Sequence, residues 1–171
     1  KKITTSLTKI YFGLEKTLLL GNLESLRDWG HAKDYVEMQW KILQHKKPDD
    51  FVIATDFQCS VRKFVEKTAQ ELGFTIKWKG KGLKEKGFVN KINKRLSEFC
   101  KIKEGNEIIS VTKRYFRPLD VENLLGDSTK ARKELKWKPK YSLDQLVKEM
   151  VSNDFNEAYY KFRLKKINEK K

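Results

Sequence analysis

Leu20-Gly21-Asn22-Leu23, followed by Arg27-Asp28-Trp29-Gly30-His31-Ala32-Lys33-Asp34-Tyr35-Val36, sets a guanidinium, two carboxylates, an indole and two glycines between a short apolar strand and an amphipathic helix. The run has no period, and its composition is that of a ligand loop. Arg27 offers a planar fork of donors that matches phosphate oxygens, while Gly21 and Gly30 let backbone turn sharply or approach a ligand. The same residues also suit a structural turn in which Asp34 opens the helix Tyr35 to Leu43. Taken alone, the segment does not separate these readings.

A second segment, Arg114-Tyr115-Phe116-Arg117-Pro118-Leu119-Asp120-Val121, again puts arginine beside aromatics, with an acid three residues after Arg117. Two such loops far apart in sequence suit a ligand bearing a diphosphate and hydroxyls. Guanidinium groups would hold the phosphates, and a carboxylate would accept from a ribose diol.

These runs, together with Lys1-Lys2-Ile3, Pro48-Asp49-Asp50-Phe51-Val52-Ile53-Ala54-Thr55, Leu125-Gly126-Asp127 and Trp137-Lys138-Pro139, resemble the extended short-chain dehydrogenase/reductase family over most of the chain. Within it they are most similar to the GDP-mannose dehydratase branch. The resemblance implies an α/β fold, the carboxyl-terminal part of an NAD(P)-binding Rossmann-type enzyme and mostly its substrate-binding domain. It implies a cytoplasmic homo-oligomer, dimer or tetramer, that uses bound NADP to oxidise the sugar at C4. A base then removes the C5 proton, water leaves from C6, and the hydride returns to C6. GDP-mannose would so become GDP-4-dehydro-6-deoxy-mannose.

On the same resemblance, Arg27 and Arg117 match arginines that clamp the diphosphate, and Lys2 matches a basic position near the nucleotide. Asp120 falls where the branch usually carries glutamate, with a shorter stem to reach ribose hydroxyls. Asn22 and His31 are expected to support the loop, and Asp34 to start the helix. Arg62 and Arg114 are expected as solvated surface rather than phosphate ligands.

The family's other signatures are missing. The nearest glycine cluster, Gly80-Lys81-Gly82 with Gly87, has the wrong spacing for a pyrophosphate turn and sits among lysines. The catalytic Tyr-x-x-x-Lys pair is not found: Tyr35 is followed four on by Gln39, Tyr115 by Leu119, Tyr141 by Gln145 and Tyr160 by Leu164. No catalytic or cofactor-binding residue is therefore assigned. The chain, which opens on Lys1, is expected to be a carboxyl-terminal substrate-binding portion over 1–171, without the amino-terminal NADP-binding domain and inactive by itself.

At 39% hydrophobic and 12% aromatic residues, the 171-residue chain is globular in composition. No run reaches the roughly 18 apolar residues of a membrane span. Cys59 and Cys100 lack CxxC spacing, which favours reduced thiols, and His31 and His45 share no ligand pattern, so no metal is expected. The net charge of +15 raises nucleic acid as a partner. The excess, however, is scattered lysine, with no finger, helix-turn-helix or RNP signature, and reads as solvated surface. The alternatives are another nucleotide-sugar dehydratase or epimerase and, behind it, a basic nucleic-acid-binding module.

Periodicity orders the elements. Ile3, Leu7, Ile10, Tyr11 and Leu14 share a helix face; Thr17 to Leu20 reads as a strand; Val36, Trp40 and Leu43 mark the next buried helix face. Phe51 to Thr55 reads as a buried strand, and Ser60 caps a helix ending at Gly73. Thr75 to Trp78 and Ile108 to Thr112 read as strands on either side of a basic loop, 79–104. Asp127 or Ser128 caps a short helix. Ser142-Leu143-Asp144-Gln145 is a capping box, and 153–171 reads as a frayed basic tail.

Overall fold

The computed structural model describes residues 1–93, 96–116 and 123–169. Helix α1 (Lys2–Tyr11) buries Ile3, Leu7, Ile10 and Tyr11, the face its spacing predicts. It stops because Gly13, at φ 71°, donates its N–H to the Ile10 carbonyl at 2.9 Å while Leu14 N–H reaches Lys9 at 2.8 Å. This paired closure satisfies the last helical carbonyls and needs a residue that tolerates positive φ. Then follow β1 (Leu18–Leu20), β2 (Leu26–Asp28), α2 (Ala32–Leu43), β3 (Gln58–Ser60), α3 (Val61–Glu71) and β4 (Phe74–Lys79). The chain continues through β5 (Lys86–Ile92), β6 (Glu107–Val111), β7 (Asn123–Leu124), α4 (Thr129–Glu134) and α5 (Leu143–Asn168).

The strands form two mixed sheets. One has the order β1-β6-β5-β4, with β1 parallel to β6 and the other pairs antiparallel. The other has the order β3-β2-β7, with β2 antiparallel to β3 and parallel to β7. Helices α1, α3 and α5 share one core with the larger sheet through Leu7, Leu18, Phe64, Val65, Ile109 and Val147. A smaller cluster of Met38, Ala131 and Trp137 joins α2 to α4 and the turn after it. The capping box at Ser142 forms as expected, with Ser142 Oγ accepting from Gln145 N–H and the Gln145 side chain accepting from Ser142 N–H. Ser60 likewise caps α3 through Lys63 N–H.

Four expectations are corrected. Phe51 to Thr55 forms no strand; Phe51 and Ile53 pack on the Met38 cluster, and the paired strand is β3, a few residues later. Helix α2 buries Met38 and Asp34, whereas Val36, Trp40 and Leu43 are 63%, 60% and 79% exposed. The basic loop 79–104 contains β5, which forms a hairpin with β4 in the register Ile76↔Val89 and Trp78↔Gly87. Finally, 153–169 is no frayed tail: α5 continues to Asn168 and buries Asp154, Ala158 and Phe162, with Phe155 and Phe162 against Phe12 at ring distances of 4.8 and 5.5 Å.

Candidate functional site

The parallel pairing of β1 with β6 sends two loops out side by side. After β1 comes Gly21-Asn22, and after β6 the turn to Tyr115, with Thr112 N–H donating to the Leu20 carbonyl at 2.9 Å. The loops touch through backbone: a Cβ on Gly21 would lie 2.0 Å from the Tyr115 carbonyl oxygen. Glycine stands here for close approach. Asn22 holds its own loop by accepting from Glu24 N–H at 2.9 Å, and the Leu23 and Ser25 carbonyls accept from the first two N–H groups of α3, those of Arg62 and Val61. Those helix N–H groups would otherwise lack partners, so the loop and the helix start stabilise each other.

Between these loops and α1 lies a cleft of about 310 Å³ lined by Lys2, Ile3, Asn22, Arg27, Trp29 and Tyr115, among others. Arg27 projects from β2, where it faces Cys59 of β3 and Leu124 of β7, and its Nη1 donates to the Leu26 carbonyl at 2.8 Å. Lys2, from the first turn of α1, places its ammonium 3.3 Å from the centroid of the Tyr115 ring. Trp29 is fixed by stacking on Phe64 at 4.3 Å and by donating Nε1–H to the Cys59 carbonyl at 3.0 Å. The result is a concave surface with three cationic side chains, Lys1, Lys2 and Arg27, a phenol ring and an indole, chemistry suited to an anion carrying a planar base.

Of the residues singled out in the sequence, Lys2 and Arg27 meet in this cleft. Arg117 and Asp120 lie outside the described residues. The rest of the opening stretch is structural. Asp28 accepts from Thr55 N–H at 2.8 Å, Thr55 Oγ1–H at 2.6 Å and Asp56 N–H at 3.2 Å, pinning the chain before β3. Asp34 does not cap α2. That position belongs to His31, whose Nδ1 accepts from Lys33 N–H at 3.1 Å, which leaves Nε2–H to face Glu149 at 3.2 Å. The buried Asp34 carboxylate instead accepts from Lys140 and Tyr141 N–H at 3.0 and 3.2 Å, and its carbonyl accepts from Trp137 Nε1 at 3.1 Å.

Arg62 is not solvated surface. Its side chain is 22% exposed and bonds both Glu24 and Glu85. Nothing in the sequence marks Tyr115 and Trp29 as walls of one cleft: the β1–β6 pairing places Tyr115, and the β2–β3 pairing with the Phe64 stack places Trp29 opposite. Burial pushes the Cys59 and Cys100 thiols up, so neither supplies a ready thiolate. Among the described residues no three or more His, Cys, Asp or Glu side chains gather as a metal site, and no helix is long and apolar enough to cross a membrane. Gly80 and Gly82, at φ 83° and 55°, turn the β4–β5 hairpin through a single 3-10 turn, Gly82–Lys84, and open no α-helix.

Residues 1–150 match the family described as GDP-mannose 4,6 dehydratase. The chain is 49% identical over 166 residues to the GDP-mannose 4,6-dehydratase of Vibrio cholerae serotype O1, covering 97% of this chain and 44% of that protein. It is 47% identical over 154 residues to GDP-mannose 4,6 dehydratase of Homo sapiens, covering 90% and 38%. The chain therefore spans less than half the length of these relatives. Among solved structures, RMD from Pseudomonas aeruginosa complexed with NADPH superimposes with a TM-score of 0.63 at 13% identity, covering 92% of this chain and 43% of that one. The dTDP-glucose 4,6-dehydratase of Bacillus anthracis in complex with NAD gives 0.58 at 17% identity, covering 95% and 40%. At these identities the likeness establishes the fold alone, an α/β arrangement with mixed sheets.

Proposed function

We propose, from the premise that the chain belongs to the GDP-mannose 4,6-dehydratase family, that its cleft holds the nucleotide end of GDP-mannose within a larger enzyme that converts this sugar nucleotide to GDP-4-dehydro-6-deoxy-mannose. One observation carries the reading: Lys2, Arg27 and Tyr115, from three distant segments, converge on one cleft of about 310 Å³. In this reading Arg27 grips the diphosphate through parallel N–H donors, and Lys2 adds a point charge beside it. Tyr115 and Trp29 give the base apolar surface, and Arg117 and Asp120 complete the phosphate and ribose contacts. Binding energy collected here, remote from the reacting carbons, would serve to orient the sugar.

We place NADP, with the groups that move the C5 proton and the hydride, in the length of the relatives that the chain does not span, and we place the working enzyme in the cytoplasm as a homo-oligomer. The 1–171 segment is then the carboxyl-terminal, substrate-binding portion.

Calorimetric titration with GDP tests the cleft. Arg27→Ala is expected to weaken binding by about 1.5–3 kcal/mol, the worth of hydrogen bonds to a charged group, with Arg27→Lys recovering only part. Equal affinity for GDP and for an unrelated dianion such as sulfate, or an unchanged Arg27→Ala variant, would show that the positive field rather than the cleft attracts the nucleotide.

A further inference from the structure

Arg62 is the second residue of α3 and is not among the residues lining the cleft, yet it touches one loop that shapes it, through Glu24, and Glu85, which is bonded to the strand leading into the other. Its Nε–H donates to Glu24 Oε1 at 2.9 Å, Nη2–H also bonds Glu24, and Nη2–H donates to Glu85 Oε1 at 2.7 Å. Trp78 covers the guanidinium plane at 4.7 Å. Glu24 stands inside the Asn22–Arg27 loop, flanked by Leu23 and Ser25, whose carbonyls the α3 N–H groups hold. Glu85 leads the other way: its carbonyl accepts from Val111 N–H at 3.0 Å, at the end of β6, and the next residue, Thr112, carries the turn to Tyr115 through bonds from Tyr115 and Phe116 N–H, both 3.0 Å.

One guanidinium thus bridges the two walls, and it is committed there. The Glu85 side chain is 11% exposed, so a departing Arg62 would strand a nearly buried carboxylate. Both acids meet at Nη2, one bond beyond where a lysine ammonium on the same stem would end, and only Glu24 has a second contact, at Nε; an ammonium would keep Glu24 and fall short of Glu85.

We propose that Arg62 is the positioning residue of the cleft, setting the separation of the Asn22–Arg27 and Thr112–Tyr115 loops while touching no ligand itself. The proposal rests on the nucleotide reading of the cleft, and its test separates the two. Arg62→Met, Arg62→Lys, Arg27→Ala and the Arg27→Ala/Arg62→Met double variant of the 171-residue chain are followed by amide hydrogen exchange and by titration with GDP. In Arg62→Met the amides of 20–27 and 111–116 are expected to exchange about tenfold faster or more while those of α5 stay as in the parent, and GDP affinity is expected to fall about tenfold. On the Arg27→Ala background the same substitution should change affinity little, because its effect passes through the placement of Arg27.

Arg62→Lys should quiet one loop and leave the other fast, and it keeps the test open should the Met variant unfold. The proposal is overturned if both loops exchange as in the parent, if α5 and the loops speed up equally in both variants, or if the affinity losses of Arg27→Ala and Arg62→Met multiply. A parent chain that takes up no GDP defeats the nucleotide reading instead, and the exchange measurements still decide whether Arg62 ties the loops.

Discussion

Gly21→Ala puts a single methyl group where the two loops touch. Its Cβ would lie 2.0 Å from the Tyr115 carbonyl oxygen and 2.7 Å from the carbonyl carbon, so reaching an ordinary C···O contact of about 3.3 Å demands a shift of about 1.3 Å. Neither side yields freely. Tyr115 and Phe116 N–H are both bonded to the Thr112 carbonyl, and Thr112 N–H to Leu20, the residue just before the substitution. Overpacking of this kind costs about 1–3 kcal/mol, and losing the Thr112–Leu20 hydrogen bond adds about 1 kcal/mol. A drop of about 2–4 kcal/mol in unfolding free energy is expected from urea denaturation at unchanged slope. The displaced Tyr115 also leaves the Lys2 ammonium, so GDP affinity should fall about tenfold in the same variant. Gly82→Ala is the comparison: nothing lies within 4 Å of its added Cβ, but φ is 55°, so it should cost about 1–2 kcal/mol and leave GDP affinity alone. A Gly21→Ala variant with parental stability and parental affinity would refute the close approach of the loops and the cleft built on it.

Three further outcomes are expected. The 171-residue chain supplied with GDP-mannose and NADP should give no 4-keto sugar, because its cleft contributes cations and rings but no placed acid–base pair; measurable turnover overturns the assignment of chemistry to the unspanned length. Burial raises the Asp154 carboxyl, but the Lys1 ammonium and the threonine hydroxyls of α1 outweigh it and hold it below the usual carboxylate range. A depressed folded value means stability present above the unfolded pKa of about 3.9 and lost as pH falls through the folded one, so Asp154→Asn should cost about 1.5–3 kcal/mol near neutrality and flatten the acid limb of urea midpoints; an unchanged acid limb sinks the idea. Trp40→Ser should lower the binding of an apolar dye to the isolated chain, since Trp40 heads an exposed stripe with Val36 and Leu43; equal dye fluorescence would place the apolar surface elsewhere.

The helices that pack on the larger sheet were legible because periodicity and caps are local. The faces of α1 and α3, the capping box of α5 and the stop at Gly73 follow from side chains within a few turns of one another. Helix α2 was misread for a reason of the opposite kind. Its apolar residues spread over a face wider than one stripe, and which part is covered depends on Ala131 and Trp137, nearly a hundred residues away. Phe51 to Thr55 has strand composition, but a strand exists only where its N–H and C=O groups find a partner strand, and the segment forms no strand. The β5 strand is hard to see because its buried positions are only Gly87 and Val89, alternating with Lys86, Phe88 and Asn90 in a lysine-rich stretch.

The site divides along the same line. Arg27 could be named from its loop, because a guanidinium between glycines is a local signal. The service of Arg62 could not, since its meaning lies in Glu24 and Glu85, 38 and 23 residues away, and in what each of those holds. A residue whose partners are carboxylates on two separate loops looks, in sequence, like any surface arginine near a helix start. Folded, it is the place where the spacing of the cleft is decided, which is why a substitution outside the cleft is expected to move the same affinity as one within it.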